Sequence, residues 1–188
     1  MPMTVYPKLA TATFSIESLG RATLAVNALS FSAMQALADA IHAEQPNLLY
    51  AVLVQQRFGA TMPQIEVVLD LLLVTYTAMK ASGRKWPLIT EDLQETCLKR
   101  VTGRIWFAEG LAPAQVSAAV QQVIDDHPEP ALLSLAFGRL REAGLLGVAD
   151  EAQRYLVLAA LNLVECVSQT ADRTRHSDGQ ALVRTAMQ

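Results

Sequence analysis

Residues 65–79 restrict the possible folds of this chain more than any other segment, because they are apolar on nearly every helical face. The segment reads IEVVLDLLLVTYTAM and contains no glycine or proline. At a helical rotation of about 100° per residue, nearly everything off one narrow line is apolar. A helix of this kind belongs inside a multi-helix protein or an oligomer. The side chains on the line are Glu66, Asp70, Leu73 and Thr77.

The composition indicates a large apolar core, an apolar interface, or both. Apolar residues make up 52% of the 188 residues and charged residues only 18%, so little charged surface is available to cover separate helices. Aromatic residues are 6%, which leaves leucine, valine and alanine to fill the core. We therefore predict an all-α protein, a single compact bundle of about six to eight helices with a central helix near residues 63–81.

Capping residues and helix breakers predict where the helices begin and end. Thr61 and Gln64 match a capping box at the start of the central helix, and Gly83 suits its end. The last long helix has a narrow polar stripe and should pack beside the central one. The predicted helices span residues 30–43, 46–59, 61–83, 90–105, 116–124, 132–143 and 150–170.

We predict one domain over residues 1–188, with its helical core at 30–172. Residues 1–29 are ambiguous, because apolar and polar residues alternate on both sides of Gly20. A hairpin, a short helix and an arm that reaches another subunit are all compatible with this pattern, and we favour irregular structure followed by a helix. Residues 173–188 form a polar tail that is compatible with a short helix.

The net charge and the two cysteines indicate which cellular compartment and which kinds of partner to expect. The net charge is −3 and the pI about 5.6, which argues against the positive footprint of a nucleic-acid-binding protein. Cys97 and Cys166 form no CxxC motif, so we interpret them as buried thiols of a reducing compartment, with a disulfide or a reactive thiol as the alternative. The N-terminal residues lack the pattern of a signal peptide, and the apolar run at 155–164 is too short to span a bilayer. We expect a cytoplasmic protein without membrane contact.

Basic residues surround a tryptophan after the central helix. Lys80, Arg84 and Lys85 precede Trp86, and such a cluster can hold an anion or a phosphate-bearing ligand. The competing interpretation is a solvated helix face with ion pairs inside the helix. Tyr76 would supply a polar contact from the central helix.

Glu66 and Asp70 are the paired carboxylates of the central helix. At a spacing of i and i+4 they share a face and are able to hold a metal or act as acid and base. Di-metal bundles add Glu-x-x-His partners on other helices, and this chain has no such motif. We favour a solvated stripe, with a polar site inside the bundle as the alternative. No metal or other cofactor is expected. The candidate ligand-binding residues are thus Glu66, Asp70, Tyr76, Lys80, Arg84, Lys85 and Trp86.

Two further segments resemble functional patterns. His127 lies in an acidic loop that we interpret as an ordinary solvated loop, with weak cation binding as the alternative. Residues 111–158 have the rhythm of a winged helix-turn-helix. The second helix of that unit is apolar where base contacts would be needed, and Arg139 and Arg141 come late on it. The helical pattern that begins at Asp150 also competes with a wing.

No nucleophile elbow or glycine-rich phosphate loop is present in the sequence. Surplus apolar helix surface without a chemical motif favours a non-enzymatic cytoplasmic protein that acts through protein–protein contacts. We expect it to be a homo-oligomer, most simply a dimer. The alternative is a helical bundle with an internal small-molecule pocket beside Tyr76, as a sensor or an enzyme. A DNA-binding regulator is the third interpretation.

Overall fold

The computed structural model describes residues 12–108, 113–147 and 150–186. These residues form eight α-helices and no β-strand, which confirms the all-α prediction. Short 3₁₀ turns follow α3 and α7, at Val54–Phe58 and Leu145–Gly147. The helices are α1 (Ile16–Asn27), α2 (Phe31–Glu44), α3 (Pro46–Leu53), α4 (Met62–Ala81), α5 (Glu91–Ala108), α6 (Pro113–Asp125), α7 (Pro130–Glu142) and α8 (Glu151–Ala186).

Helix α4 is the central helix of the bundle, as predicted. It begins with the expected capping box, in which the backbone N–H of Thr61 donates to the side chain of Gln64 at 2.8 Å. It contacts α1, α2, α3, α7 and α8. By length and composition α4 would also suit a bilayer, but 56% of its most apolar window is buried inside the bundle. The buried residues of α4 are Ile65, Val68, Leu71, Leu72, Leu73, Val74, Thr75, Tyr76, Ala78 and Met79.

The ambiguous N-terminal region forms helix α1 rather than a hairpin. Ser15 and Ser18 cap it reciprocally, with N–H to Oγ distances of 3.0 and 3.1 Å. Leu19, Ala22 and Val26 are buried and lie on one helical face, the face that packs on α4. The period of three to four residues therefore outweighs the local alternation that suggested strands. Residues 1–11 lie outside the described residues.

The last helix is longer than the sequence predicts. Helix α8 continues to Ala186, so residues 173–186 extend it instead of forming a separate short helix. Gly179 is the only strong helix breaker in that stretch, and one glycine costs a helix only about 1 kcal/mol. Between α7 and α8 the described residues form a 3₁₀ turn, and no wing is present there.

An ion pair connects the two halves of the chain at the central helix. Arg139 on α7 lies 3.2 Å from the carboxylate of Asp70 on α4, and both side chains are about one-quarter to one-third exposed. Helix α7 also packs on α8, which in turn runs along α5. The later helices thus cover the faces of α4 that α1 and α3 leave open.

Substitutions at two glycines test the backbone conformations that the structure assigns to them. Gly59 ends the first 3₁₀ turn with a φ of 94°, and a side chain in this left-handed region costs about 1–2 kcal/mol. Gly138 lies inside α7, where an added Cβ would meet nothing within 4 Å. We predict that Gly59→Ala lowers the free energy of unfolding by about 1–2 kcal/mol. We predict that Gly138→Ala raises it by about 0.5–1 kcal/mol. Urea denaturation measures both, and effects of the same sign would contradict the assigned conformations.

Candidate functional site

A cleft lies between the C-terminal ends of α2 and α4 and the loop that follows α4. It has a volume of about 350 Å³. We call it the Trp86 cleft and define it by its lining residues: Glu44, Gln45, Tyr76, Met79, Lys80, Arg84, Lys85 and Trp86. Five of the seven candidate residues from the sequence thus come together here: Tyr76, Lys80, Arg84, Lys85 and Trp86.

Glu66 and Asp70 are not brought to the cleft. Glu66 lies ten residues before Tyr76 on the same helix, a separation of roughly 15 Å along the axis. Its side chain is exposed, whereas Asp70 is paired with Arg139. Among the described residues, no three His, Cys, Asp or Glu side chains are grouped closely enough to hold a metal ion. Glu66 is therefore a solvated surface residue, and Asp70 contributes to the contact between α4 and α7.

Gln45 fixes the loop that forms one wall of the cleft. Its side chain is only 2% exposed. The Nε2 group donates to the carbonyl oxygen of Pro87 at 2.9 Å, and Oε1 accepts the N–H of Ile89 at 2.9 Å. These two bonds resemble a short piece of backbone pairing and satisfy loop groups that would otherwise be left without partners. The sequence did not point to Gln45, because a glutamine between two helices carries no signal of such a contact.

Trp86 is held in the cleft wall from two sides. Its indole N–H donates to the carbonyl oxygen of Met79 at 3.0 Å and lies 3.2 Å from Oγ of Ser82. Its ring stacks on Phe14, with a centroid distance of 5.8 Å and an interplanar angle of 16°. The position of the indole is therefore set by the end of α4 and by the segment before α1.

A buried carboxylate in turn holds Phe14. Glu129, at the start of α7, is 0% exposed and accepts the backbone N–H groups of Thr13 and Phe14 at 2.9 to 3.0 Å. A buried charge is tolerated only when it is hydrogen-bonded in this way. The interpretation of the acidic loop as an ordinary solvated loop was thus wrong, because His127 is 7% exposed and Glu129 is fully buried. Asp125 and Asp126 do face solvent.

The charges of the cleft are partly compensated. Nζ of Lys80 lies 2.8 and 3.1 Å from the carboxylate oxygens of Glu44. The hydrogen bond from Lys80, helped by Tyr76, lowers the pKa of Glu44. Burial and the neighbouring Glu44 raise the pKa of Tyr76 to about 12, so its hydroxyl keeps its proton at neutral pH. Arg84 lies 3.5 Å from the hydroxyl of Thr13. Within the described part of the chain, neither Arg84 nor Lys85 pairs with an acid, which leaves the cleft positively charged.

A second polar cluster lies where α5, α8 and the loop before α7 meet. The carboxylate of Glu165 is 2.9 Å from Arg104, 3.4 Å from His127 and 3.9 Å from Arg100. Burial alone would raise the pKa of Glu165, but the hydrogen bond with His127 and the charge of Arg104 outweigh it and lower the pKa. The sequence placed Glu165 on a polar stripe, and the structure buries that part of the stripe against α5.

Both ring nitrogens of His127 have a partner. Its Nδ1 accepts the backbone N–H of Glu129 at 3.0 Å, and its Nε2 lies 3.4 Å from the Glu165 carboxylate. The cluster therefore links α5, α8 and the loop before α7.

The two cysteines pack beside this cluster. Cys97 on α5 and Cys166 on α8 are buried thiols, and no disulfide joins them. A hydrogen bond with Cys97 and burial raise the pKa of the Cys166 thiol. Since the thiolate is the reactive form, Cys166 is unsuited to nucleophilic chemistry. This agrees with the interpretation of the cysteines as small buried residues.

Comparison with known proteins gives no match to a family model, to a curated protein or to a solved structure. The fold and the site themselves define an all-α bundle with a basic, partly aromatic cleft at the C-terminal end of its central helix. The cleft residues come from two helix ends and one loop, and hydrogen bonds hold that loop in place without a ligand.

The Glu165 cluster predicts a pH-dependent stability. Because the folded pKa of Glu165 is lowered, its contribution is present above the unfolded pKa of about 4.3 and is lost as the pH falls through the folded value. We therefore expect the free energy of unfolding to fall more between pH 6 and pH 3 in the wild type than in Glu165→Gln. Urea denaturation across this range measures the difference. The exposed Glu142→Gln serves as the control, and equal slopes in wild type and Glu165→Gln would contradict the assignment.

Proposed function

We propose that this protein is a non-enzymatic cytoplasmic helical protein that acts through protein–protein contacts and associates with a second copy of itself. The supporting observation is the poor coverage of α2. Its sequence FSAMQALADAIHAE is mostly apolar, yet Ile41 is the only buried residue among its 14. An apolar helix left on the surface in this way is typical of a helix that a partner covers.

Helix α1, which precedes α2 in the chain, also exposes large apolar side chains. Phe31 on α2 is 86% exposed, and Ile16 and Leu24 on α1 are 83% and 71% exposed. These are the three most exposed large apolar residues in the described part of the chain. Ile16, Gly20 and Leu24 follow each other at a spacing of four and form one row. We call this surface, defined by Ile16, Leu24 and Phe31, the α1–α2 face.

A second copy of the chain is the simplest partner for the α1–α2 face. In a two-fold symmetric dimer the same face is used on both subunits, so one apolar surface covers the other. The charged pair on α1, Glu17 and Arg21 at 2.6 Å, is already neutralised within the helix and does not repel a copy of itself. Two buried thiols, Cys97 and Cys166, support a reducing, cytoplasmic setting.

We do not propose DNA binding. Arg139, one of the two arginines that come late on the second helix of the helix-turn-helix pattern, is paired with Asp70. Helix α7 begins after the buried Glu129, and its first turn carries the buried Leu132 and Leu133 instead of base-reading residues. This surface therefore lacks the positive charge that a phosphate backbone needs.

Self-association has a direct test in sedimentation velocity and native mass spectrometry. We expect the wild-type chain to be a dimer at micromolar concentration, and Phe31→Glu to raise the dimer dissociation constant by about tenfold or more, because an interface centre does not tolerate a buried charge. Leu98→Glu places the same charge on α5, at a leucine that is 38% exposed, and is the matched control.

A monomeric wild-type chain would overturn the proposal. Equal weakening by Phe31→Glu and Leu98→Glu would place the contact elsewhere and contradict the use of the α1–α2 face. Circular dichroism of each variant verifies that the helices are intact, since both substituted side chains are at least one-third exposed.

A further inference from the structure

We propose that the Trp86 cleft binds a small organic anion, a molecule with a phosphate or carboxylate group attached to a planar apolar group. This site is separate from the proposed self-association, because the cleft is lined by none of the three residues that define the α1–α2 face. Its volume of about 350 Å³ lies in the lower part of the range found for small-molecule sites, about 300–1,000 Å³.

The charges of the cleft favour an anion. Lys80 is neutralised by Glu44, the only carboxylate among the lining residues. Arg84 and Lys85 pair with no acid among the described residues and directly precede Trp86 in sequence. A planar guanidinium beside an ammonium group matches the oxygens of a phosphate or carboxylate, and such charge-assisted hydrogen bonds are the stronger ones.

The remaining lining residues favour an apolar group attached to that anion. Met79 is buried, and Trp86 is half-buried with its N–H already bonded to the protein. The half-buried ring of Trp86 therefore offers the apolar contact surface of the cleft, whereas Met79, which is 1% exposed, adds almost none. Tyr76 is 2% exposed and its hydroxyl is hydrogen-bonded to Glu44, so it belongs to the wall of the cleft. The contacts to a ligand anion fall to Arg84 and Lys85.

The cleft is also largely formed before a ligand arrives. Gln45 bridges the loop at Pro87 and Ile89, and Phe14 stacks on Trp86 from outside the cleft. Groups that are already held in position lose little conformational freedom on binding, so more of the contact energy appears as affinity. Only the long side chains of Arg84 and Lys85 have to be ordered.

Fluorescence titration of a single-tryptophan protein tests this proposal. The chain has two tryptophans, and Trp106→Phe leaves Trp86 as the sole reporter. Three probes are compared. Phenyl phosphate carries both the anion and the ring, inorganic phosphate carries the anion alone, and phenol carries the ring alone. We expect phenyl phosphate to bind with a Kd of about 1 mM or below and the other two to bind at least about tenfold more weakly. Isothermal titration calorimetry of the unmodified chain checks the same order.

A pair of charge variants locates the binding. Arg84→Gln with Lys85→Gln should weaken phenyl phosphate binding by about tenfold or more. Arg57→Gln with Lys99→Gln removes the same net charge outside the cleft and should leave the Kd nearly unchanged.

Three results would overturn the proposal. The first is absence of phenyl phosphate binding in a protein whose circular dichroism is native. The second is equal weakening by the two charge variants, which would indicate attraction by overall charge only. The third is inorganic phosphate or phenol binding as tightly as phenyl phosphate, which would remove the apolar or the anionic part of the assignment. Self-association is measured separately, so a negative result here does not affect that proposal.

Discussion

The burial of α4 is the constraint on which the rest of the structure depends. A 20-residue helix that is apolar on nearly all sides needs neighbours on nearly all sides, and α1, α3, α7 and α8 supply them. Each large apolar side chain that is fully buried contributes roughly 1.5–3 kcal/mol relative to an exposed one. Asp70 interrupts this surface and is matched by Arg139 from α7. The polar end of α4, from Lys80 onward, is the part that leaves the core and forms the Trp86 cleft.

Buried carboxylates connect elements that the apolar core does not orient by itself. Glu129 joins the start of α7 to the backbone before α1, and Glu165 joins α8 to α5 and to the loop at His127. A buried charge costs several kcal/mol unless every lone pair has a partner. Each carboxylate is therefore compatible with one arrangement of its neighbours and disfavours others. Through Phe14 and its stacking on Trp86, the Glu129 contact also reaches the wall of the cleft.

Helix α2 belongs to both surfaces for which a function is proposed. It begins with Phe31 on the α1–α2 face and ends with Glu44 in the Trp86 cleft. Ile41 is its one buried residue, and Leu37 and Ala40 pack against the core while partly exposed. The hydrogen bonds of Gln45, which directly follows α2, connect the cleft end of this helix to the loop at Pro87 and Ile89.

Sequence by itself determined the features that depend on neighbours within a few residues. These include the capping box at Thr61, the helical period of α4, and the grouping of Tyr76 with Trp86, which are ten residues apart. Only the tertiary structure decided that Gln45 bridges a loop 42 to 44 residues away and that Glu129 holds a backbone 115 to 116 residues away. The physical reason is that a polar side chain has no preferred distant partner until the apolar core brings one within hydrogen-bonding distance, and sequence spacing carries no information about that approach.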